Sequence, residues 1–158
     1  MHRLILLFAL SLFLFSCNSN PDSKQSKTVN HVDDTPDAQL PALPAEYLTE
    51  LYNKCEAIEI TFYDAPMSMA SNKDNTRSFL SFITRESVFE SQLRKRALGI
   101  MSYNVDGDIF IEAEFFIDLN NSGQKPYFKF IKDKQNYYNV ISTQGVNLLT
   151  QPLQGMKQ

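Results

Sequence analysis

Apolar residues open the chain as one unpatterned block, Leu4 through Phe15, and return as short periodic stretches only from about residue 44. There Leu48, Leu51, Tyr52 and Cys55 fall at i, i+3, i+4 and i+7, which predicts a helix over 44–56 with one apolar stripe. Pro44 suits its first turn, where a missing N–H leaves no bond unmade. Ile58, Ile60 and Phe62 then alternate with Glu59, Thr61 and Tyr63, the pattern of a strand with one buried face. Pro66 interrupts it, and Met67 and Met69 carry the opposite parity, so a bulge or an edge position belongs at 64–66. Asp74 or Asn75 can cap a second helix whose inner face is Phe79, Leu80, Phe82 and Ile83. Residues 85–96 fit neither period, although Ser87–Glu90 has capping-box spacing.

Two hairpins follow. Asp106-Gly107 is a favoured two-residue turn. Centring a hairpin there pairs Leu98 with Phe115, Ile100 with Ala113 and Ser102 with Ile111 on a core face. The other face carries Met101, Tyr103, Val105, Phe110, Glu112, Glu114 and Phe116, with Tyr103 opposite Phe110. A loop at 133–135 pairs Phe128 with Val140 and Phe130 with Tyr138 as core, and leaves Tyr127, Lys129, Ile131, Tyr137, Asn139 and Ile141 on the reverse. The tail from Gln144, with Val146, Leu148 and Leu149, reads as one more short strand. The order is helix, strand, second helix, then an antiparallel sheet of four or more strands. It predicts an α+β domain over 45–158 with its helices on one sheet face. Cystatin-like and nuclear-transport-factor-like domains share that outline, an analogy of element order that carries no function.

The opening block is the layout of a secretory signal: Met-His-Arg, a twelve-residue run that is apolar except for Ser11, then Ser16-Cys17. The run is too short to span a bilayer, which takes about 20 residues. Leu14-Phe15-Ser16-Cys17 resembles the lipobox of bacterial lipoproteins, with an aliphatic residue at −3 and a small one at −1; Phe15 at −2 is bulkier than usual. The resemblance covers about 17 residues. It implies a type II signal peptide at 1–16, removal of that segment, and lipidation of Cys17. Two or three acyl chains, at about 0.8 kcal/mol per buried CH2, would then make a stable membrane anchor. Residues 18–44 hold six aliphatic or alanine residues and no aromatic one. They are too polar to offset chain entropy, and with Cys17 they read as a lipidated tether of about 30 Å typical span.

Composition narrows the chemistry. A net charge of −3 over 158 residues offers no basic excess for nucleic acid. The two histidines are His2, in the signal, and His31, in the spacer. The domain therefore holds no Ser-His-Asp or Cys-His arrangement and no histidine zinc site. Cys55, on an apolar stripe, reads as a small buried hydrophobe. Glu112 and Glu114 are a carboxylate pair of the kind glycosidases use, but two glutamates on the wet face of a strand are common. Asp118–Gly123 resembles the first half of a calcium loop, yet its ninth position is Pro126 and its twelfth Lys129, so a polar turn is the reading. Arg94-Lys95-Arg96 is a basic run, either a solvated strand face or a contact with anionic lipid or envelope glycan. No catalytic residue, metal ligand or cofactor is assigned.

Five aromatic residues fall on the expected non-core face: Tyr103, Phe110, Phe116, Tyr127 and Tyr137. They form the candidate interaction face. The expectation is a lipid-anchored bacterial envelope lipoprotein, at the outer membrane before the inner, with its domain in the periplasm or at the cell surface. It would bind an envelope protein or glycan without catalysis. A small hydrolase or isomerase using carboxylates and tyrosine is the alternative, and a structural envelope protein a third.

Overall fold

The structure, a computed structural model, describes residues 37–120 and 123–154. The expected signal, Cys17 and the spacer up to residue 36 lie outside the described residues. The domain is α+β. Helix α1 (Ala45–Lys54) runs straight into strand β1 (Cys55–Phe62), followed by β2 (Ser68–Ser71) and α2 (Lys73–Leu80). Strands β3 (Gly99–Val105), β4 (Asp108–Phe116), β5 (Tyr127–Lys132) and β6 (Gln135–Val140) come next, then α3 (Thr143–Gln154). The six strands form one open antiparallel sheet in the order β2-β1-β3-β4-β5-β6.

The main core lies between one sheet face and the helices. Ile58, Ile60 and Phe62 of β1, Met101, Tyr103 and Val105 of β3, Ile111, Ala113 and Phe115 of β4, and Phe128 and Phe130 of β5 meet Leu51, Leu80 and Leu149 there. Cys55 belongs to this core as the first residue of β1, not as the last of a helical stripe. Burial pushes its thiol pKa up. Gly99 allows the closest approach in the sheet: a Cβ there would lie 2.3 Å from the Thr61 carbonyl oxygen and 2.5 Å from the Phe115 ring.

Each hairpin departs from its expected pairing by one residue. In the first, the Asp106-Gly107 turn forms as expected, both residues at positive φ, and Val105 faces Asp108. One step further, Asn104 faces Ile109 but Tyr103 faces Ile111, so Phe110 is an extra residue, a β-bulge. Beyond it Met101 faces Ala113 and Ile100 faces Glu114. The core face of β4 is as expected; that of β3 is inverted. Met101 and Tyr103 are fully buried, while Ile100 and Ser102 turn to the reverse side. A shift of one residue must do this, because side chains alternate with period two.

In the second hairpin, Asp133 (φ 51°) and Lys134 (φ 65°) both adopt the left-handed conformation, making a two-residue turn without glycine. Lys132 then faces Gln135, Phe128 faces Asn139 and Phe130 faces Tyr137. Strand β5 keeps its expected core face, and β6 is inverted. The expected tail strand is α3. Its N-terminus is capped by Ser142, whose hydroxyl accepts the Gly145 N–H at 3.2 Å. A Cβ on Gly145 would lie 2.7 Å from Phe82 Cβ, so glycine lets the helix seat closely.

A second, smaller cluster sits on the reverse face: Val88, Ala97, Phe116, Tyr127 and Val140, with Leu40 and Tyr138 against it. Residues 84–98 cover it, irregular apart from a 3-10 turn at Glu90–Gln92. Residues 37–44, expected within the tether, are bound to the domain. Gln39 bridges to Phe89, the Leu40 N–H reaches the Val88 carbonyl at 2.9 Å, and Pro41 accepts from the Tyr138 N–H at 2.7 Å. Leu43 is 4% exposed, and its N–H is held at 2.9 Å by the side-chain oxygen of buried Asn139.

Leu43→Ala should therefore cost about 2–4 kcal/mol in denaturant unfolding. A residue in a solvated tether would change stability by less than about 0.5 kcal/mol. A second expectation concerns Tyr103. Burial holds its phenol protonated far above the usual value of 10.0. The unfolded chain releases that proton above about pH 10 and the folded chain does not, so stability is intact below pH 10 and falls above it. One such group steepens the loss by up to about 1.4 kcal/mol per pH unit. Tyr103→Phe should remove that increment from the alkaline stability profile at little cost at pH 7, since among the described residues the hydroxyl meets only the Met101 sulfur, at 3.9 Å. Identical alkaline slopes for the two proteins would contradict the placement.

Candidate functional site

The registers dissolve the expected aromatic face. Tyr103 is core. Phe110, the bulged residue, and Tyr137 lie half-buried on the helix side, each packed edge-on against Tyr47, with centroids 6.1 and 6.2 Å apart. Lys132 sits 4.1 Å over the Phe110 ring. Phe116 and Tyr127 do face the reverse side, but they stack on each other at 4.7 Å beneath Val88 and Ala97 and are buried. The five residues form no common exposed surface.

What the reverse face does present follows from the ladder. Cross-strand neighbours put Thr61, Ile100, Glu114, Lys129 and Tyr138 in one row across β1, β3, β4, β5 and β6. The next row toward the hairpin tips is Glu59, Ser102, Glu112, Ile131 and Asn136. Helices cover the opposite face, and residues 84–98 cover only the Phe116–Tyr127–Val140 end of this one. Where that cover stops, a cleft of about 510 Å³ opens between residues 93–97 and the Glu114–Lys129–Tyr138 row. Tyr63, from the end of β1, closes one side.

The cleft gathers charge and aromatic surface. Lys129 Nζ donates to Glu114 at 3.0 Å across the strand pair, each side chain about a quarter exposed. Arg94 lies deep, 3.3 Å from the Asp118 carboxylate, and its own backbone N–H donates to the Tyr127 hydroxyl at 2.7 Å. Arg96 pairs with Asp64 at the rim. Lys95 is exposed and makes no ion pair among the described residues. Partial desolvation pushes the Tyr63 phenol pKa up, and the carboxylates of Glu114 and Glu112 push it further.

The other candidates separate. Glu112 hydrogen-bonds with Ser102 at 3.4 Å and does not line the cleft that Glu114 lines, so the two carboxylates are not offered to one cavity. The Asp118 carboxylate accepts the Asn120 N–H at 2.9 Å and faces the Arg94 guanidinium at 3.3 Å. Among the described residues no three His, Cys, Asp or Glu side chains converge as a metal site. Two further grooves, of about 580 and 610 Å³ beside α1 and α3, have Arg85 and Asp118 as their respective charged lining. Tyr63 and Tyr138 were invisible as a site in the sequence, because only the one-residue shift in β6 puts Tyr138 beside Lys129.

The chain matches no protein-family model, no curated protein and no solved structure.

The Glu114–Lys129 pair should be weakly stabilising, since partly solvated cross-strand charge pairs contribute about 0.2–1 kcal/mol. A double-mutant cycle with Glu114→Gln and Lys129→Met should give a coupling in that range that shrinks in high salt. Coupling near zero at low salt would mean that the pair does not form.

Proposed function

We propose that the protein is a lipid-anchored module of the bacterial cell envelope that binds a partner through the reverse face of its sheet without catalysing a reaction. The observation that carries the binding half of this reading is the cleft itself. The sheet is covered by helices on one side and only partly on the other, and the uncovered part is concave, aromatic at its walls and charged across its floor. Its volume of about 510 Å³ is like that of the grooves beside α1 and α3; its convergent charged groups and tyrosines set it apart. The anchoring half rests on Leu14-Phe15-Ser16-Cys17 behind a short apolar block. No helix among the described residues is long and apolar enough to cross a membrane.

The hydrolase reading needs two carboxylates flanking one cavity. Glu114 is committed to Lys129, and Glu112 lies outside the cleft, which weighs against it.

Growth with labelled palmitate should label the wild-type protein and leave Cys17→Ser unlabelled, with the variant lost from the membrane fraction. Equal labelling would refute the anchor. The binding half is tested by Tyr63→Ala, which removes an exposed wall of the cleft. It should abolish retention of an envelope component on the tagged protein while shifting the melting temperature by no more than a few degrees. Unchanged retention would move the binding surface elsewhere.

A further inference from the structure

We propose that the cleft between residues 93–97 and the β4–β5 ladder takes an acidic saccharide, with its anionic group at Lys95 and its ring and hydroxyls over Tyr63, Glu114, Lys129 and Tyr138. This deepens the binding-module reading and rests on it.

Charge is the first argument. The chain is net acidic, −3 over 158 residues, yet the cleft is lined by four cations and one carboxylate. Three of the four cations already face a carboxylate: Arg94 with Asp118, Arg96 with Asp64 and Lys129 with Glu114. Lys95 does not. It stands exposed at the rim, flanked by two arginines, where an incoming anion adds charge-assisted bonds and displaces no existing partner.

The floor gives the second argument. Glu114 and Lys129 sit side by side at 3.0 Å, presenting carboxylate acceptors next to ammonium donors, which is what neighbouring sugar hydroxyls bond. Tyrosine suits the flanks because it offers an apolar ring face together with a polar tip. A bilayer surface is flat and would not enter a recess of about 510 Å³. The combination of a cation without an ion-pair partner among the described residues, a hydroxyl-matching ion pair and two tyrosines therefore fits a carboxylated sugar, and glycerol 3-phosphate serves as the competing anion in the test.

The test uses the full lipidated chain in detergent, titrated calorimetrically with four probes: trigalacturonate, its methyl ester, a hyaluronan tetrasaccharide and glycerol 3-phosphate. At least one of the two acidic saccharides should bind. The methyl ester, with the same rings and no charge, should bind roughly tenfold more weakly than trigalacturonate or not at all, and affinity should fall as salt rises. Lys95→Ala should weaken binding of the acidic saccharide about tenfold, and because Lys95 is exposed this change leaves the fold intact. Lys54→Ala, in α1 and outside the cleft lining, should leave binding unchanged. Tyr138→Ala should weaken it as well, with the melting curve recorded alongside because Tyr138 also packs on the smaller cluster. Absence of heat with both acidic saccharides, equal affinity for ester and acid, or tighter binding of glycerol 3-phosphate would each overturn the proposal. If retention of an envelope component through Tyr63 persists while both saccharides stay silent, the saccharide assignment falls and the binding module stands.

Discussion

Between the Asn104–Ile109 pair and the Tyr103–Ile111 pair, β4 uses one more residue than β3, and the surplus residue, Phe110, settles which half of the sheet is oil and which is water. Without the bulge, the turn at Asp106-Gly107 would place Ile100 and Ser102 opposite the helices and turn Met101 and Tyr103 outward. With it, Met101 and Tyr103 join Ile58, Ile60 and Ile111 beneath Leu51, Leu80 and Leu149. The exchange favours burial: methionine and tyrosine replace isoleucine and serine, and a serine hydroxyl that would need a buried partner goes to the wet side. The bulged residue is itself sheltered, with its ring against Tyr47 and beneath Lys132. Because the sheet is a single ladder, the same choice sets the outer face. Ser102, Glu112, Ile100 and Glu114 become neighbours there, and through Glu114 the row extends to Lys129 and Tyr138.

The smaller cluster depends on a different constraint. Tyr127 and Phe116 point away from the helices, and an antiparallel sheet can leave such a face solvated only if it is polar. These two rings are not, so residues 84–98 and the incoming segment 37–43 fold over them. The cover is held by backbone more than by side-chain packing: Leu40 to Val88, Glu90 to Ala38 and Tyr138 to Pro41 are all main-chain bonds. Asp37 adds side-chain bonds to the Ser91 N–H and hydroxyl. The segment 37–43 can thus be ordered without a periodic hydrophobic pattern, since the domain edge supplies its hydrogen-bond partners. That edge is β6, which would otherwise expose unpaired backbone groups.

The α+β class, the presence of both helices before β3 and the core faces of β1, β4 and β5 were legible from periodicity, and the first turn from Asp106-Gly107; α2 ends at Leu80, so Phe82 and Ile83, expected on its inner face, lie beyond it. The faces of β3 and β6 were not. In each hairpin the parity was right for one strand and wrong for the other, because a hairpin's pairing depends on the turn and on any bulge, and the bulge in the first hairpin and the turn in the second leave no strong local mark. Phe110 resembles any other strand residue, and Asp133-Lys134 lacks the glycine that usually announces a two-residue turn. The C-terminal helix was legible in principle: Ser142 caps it, and Val146, Leu149 and Leu153 keep helical spacing. Pro152 and Gly145 obscure that pattern, since both are poor helix formers away from the ends. Burial of residues 37–43 could not be read locally, because its partners lie some 50 to 100 positions away.

The same one-residue shifts that misplace the aromatic residues assemble the cleft. With β6 in its expected register, Tyr138 would face the helices and Lys129 would neighbour a different residue. With β3 in its expected register, Glu114 would neighbour Gly99 and Phe115 would face Leu98. In the observed sheet the charged pair is flanked by Ile100 on one side and Tyr138 on the other, so Glu114 and Lys129 are partly shielded but still reachable. Partial shielding matters for recognition. A fully solvated pair contributes little selectivity, and a fully buried one has no free valence for a ligand. Held about a quarter exposed on the floor of a recess, the pair retains acceptor and donor capacity toward an incoming hydroxyl while its geometry is fixed by two strands. The residues 93–97 that wall the recess are also the residues that cap Phe116 and Tyr127. The packing that keeps the aromatics dry therefore places Lys95 at the rim.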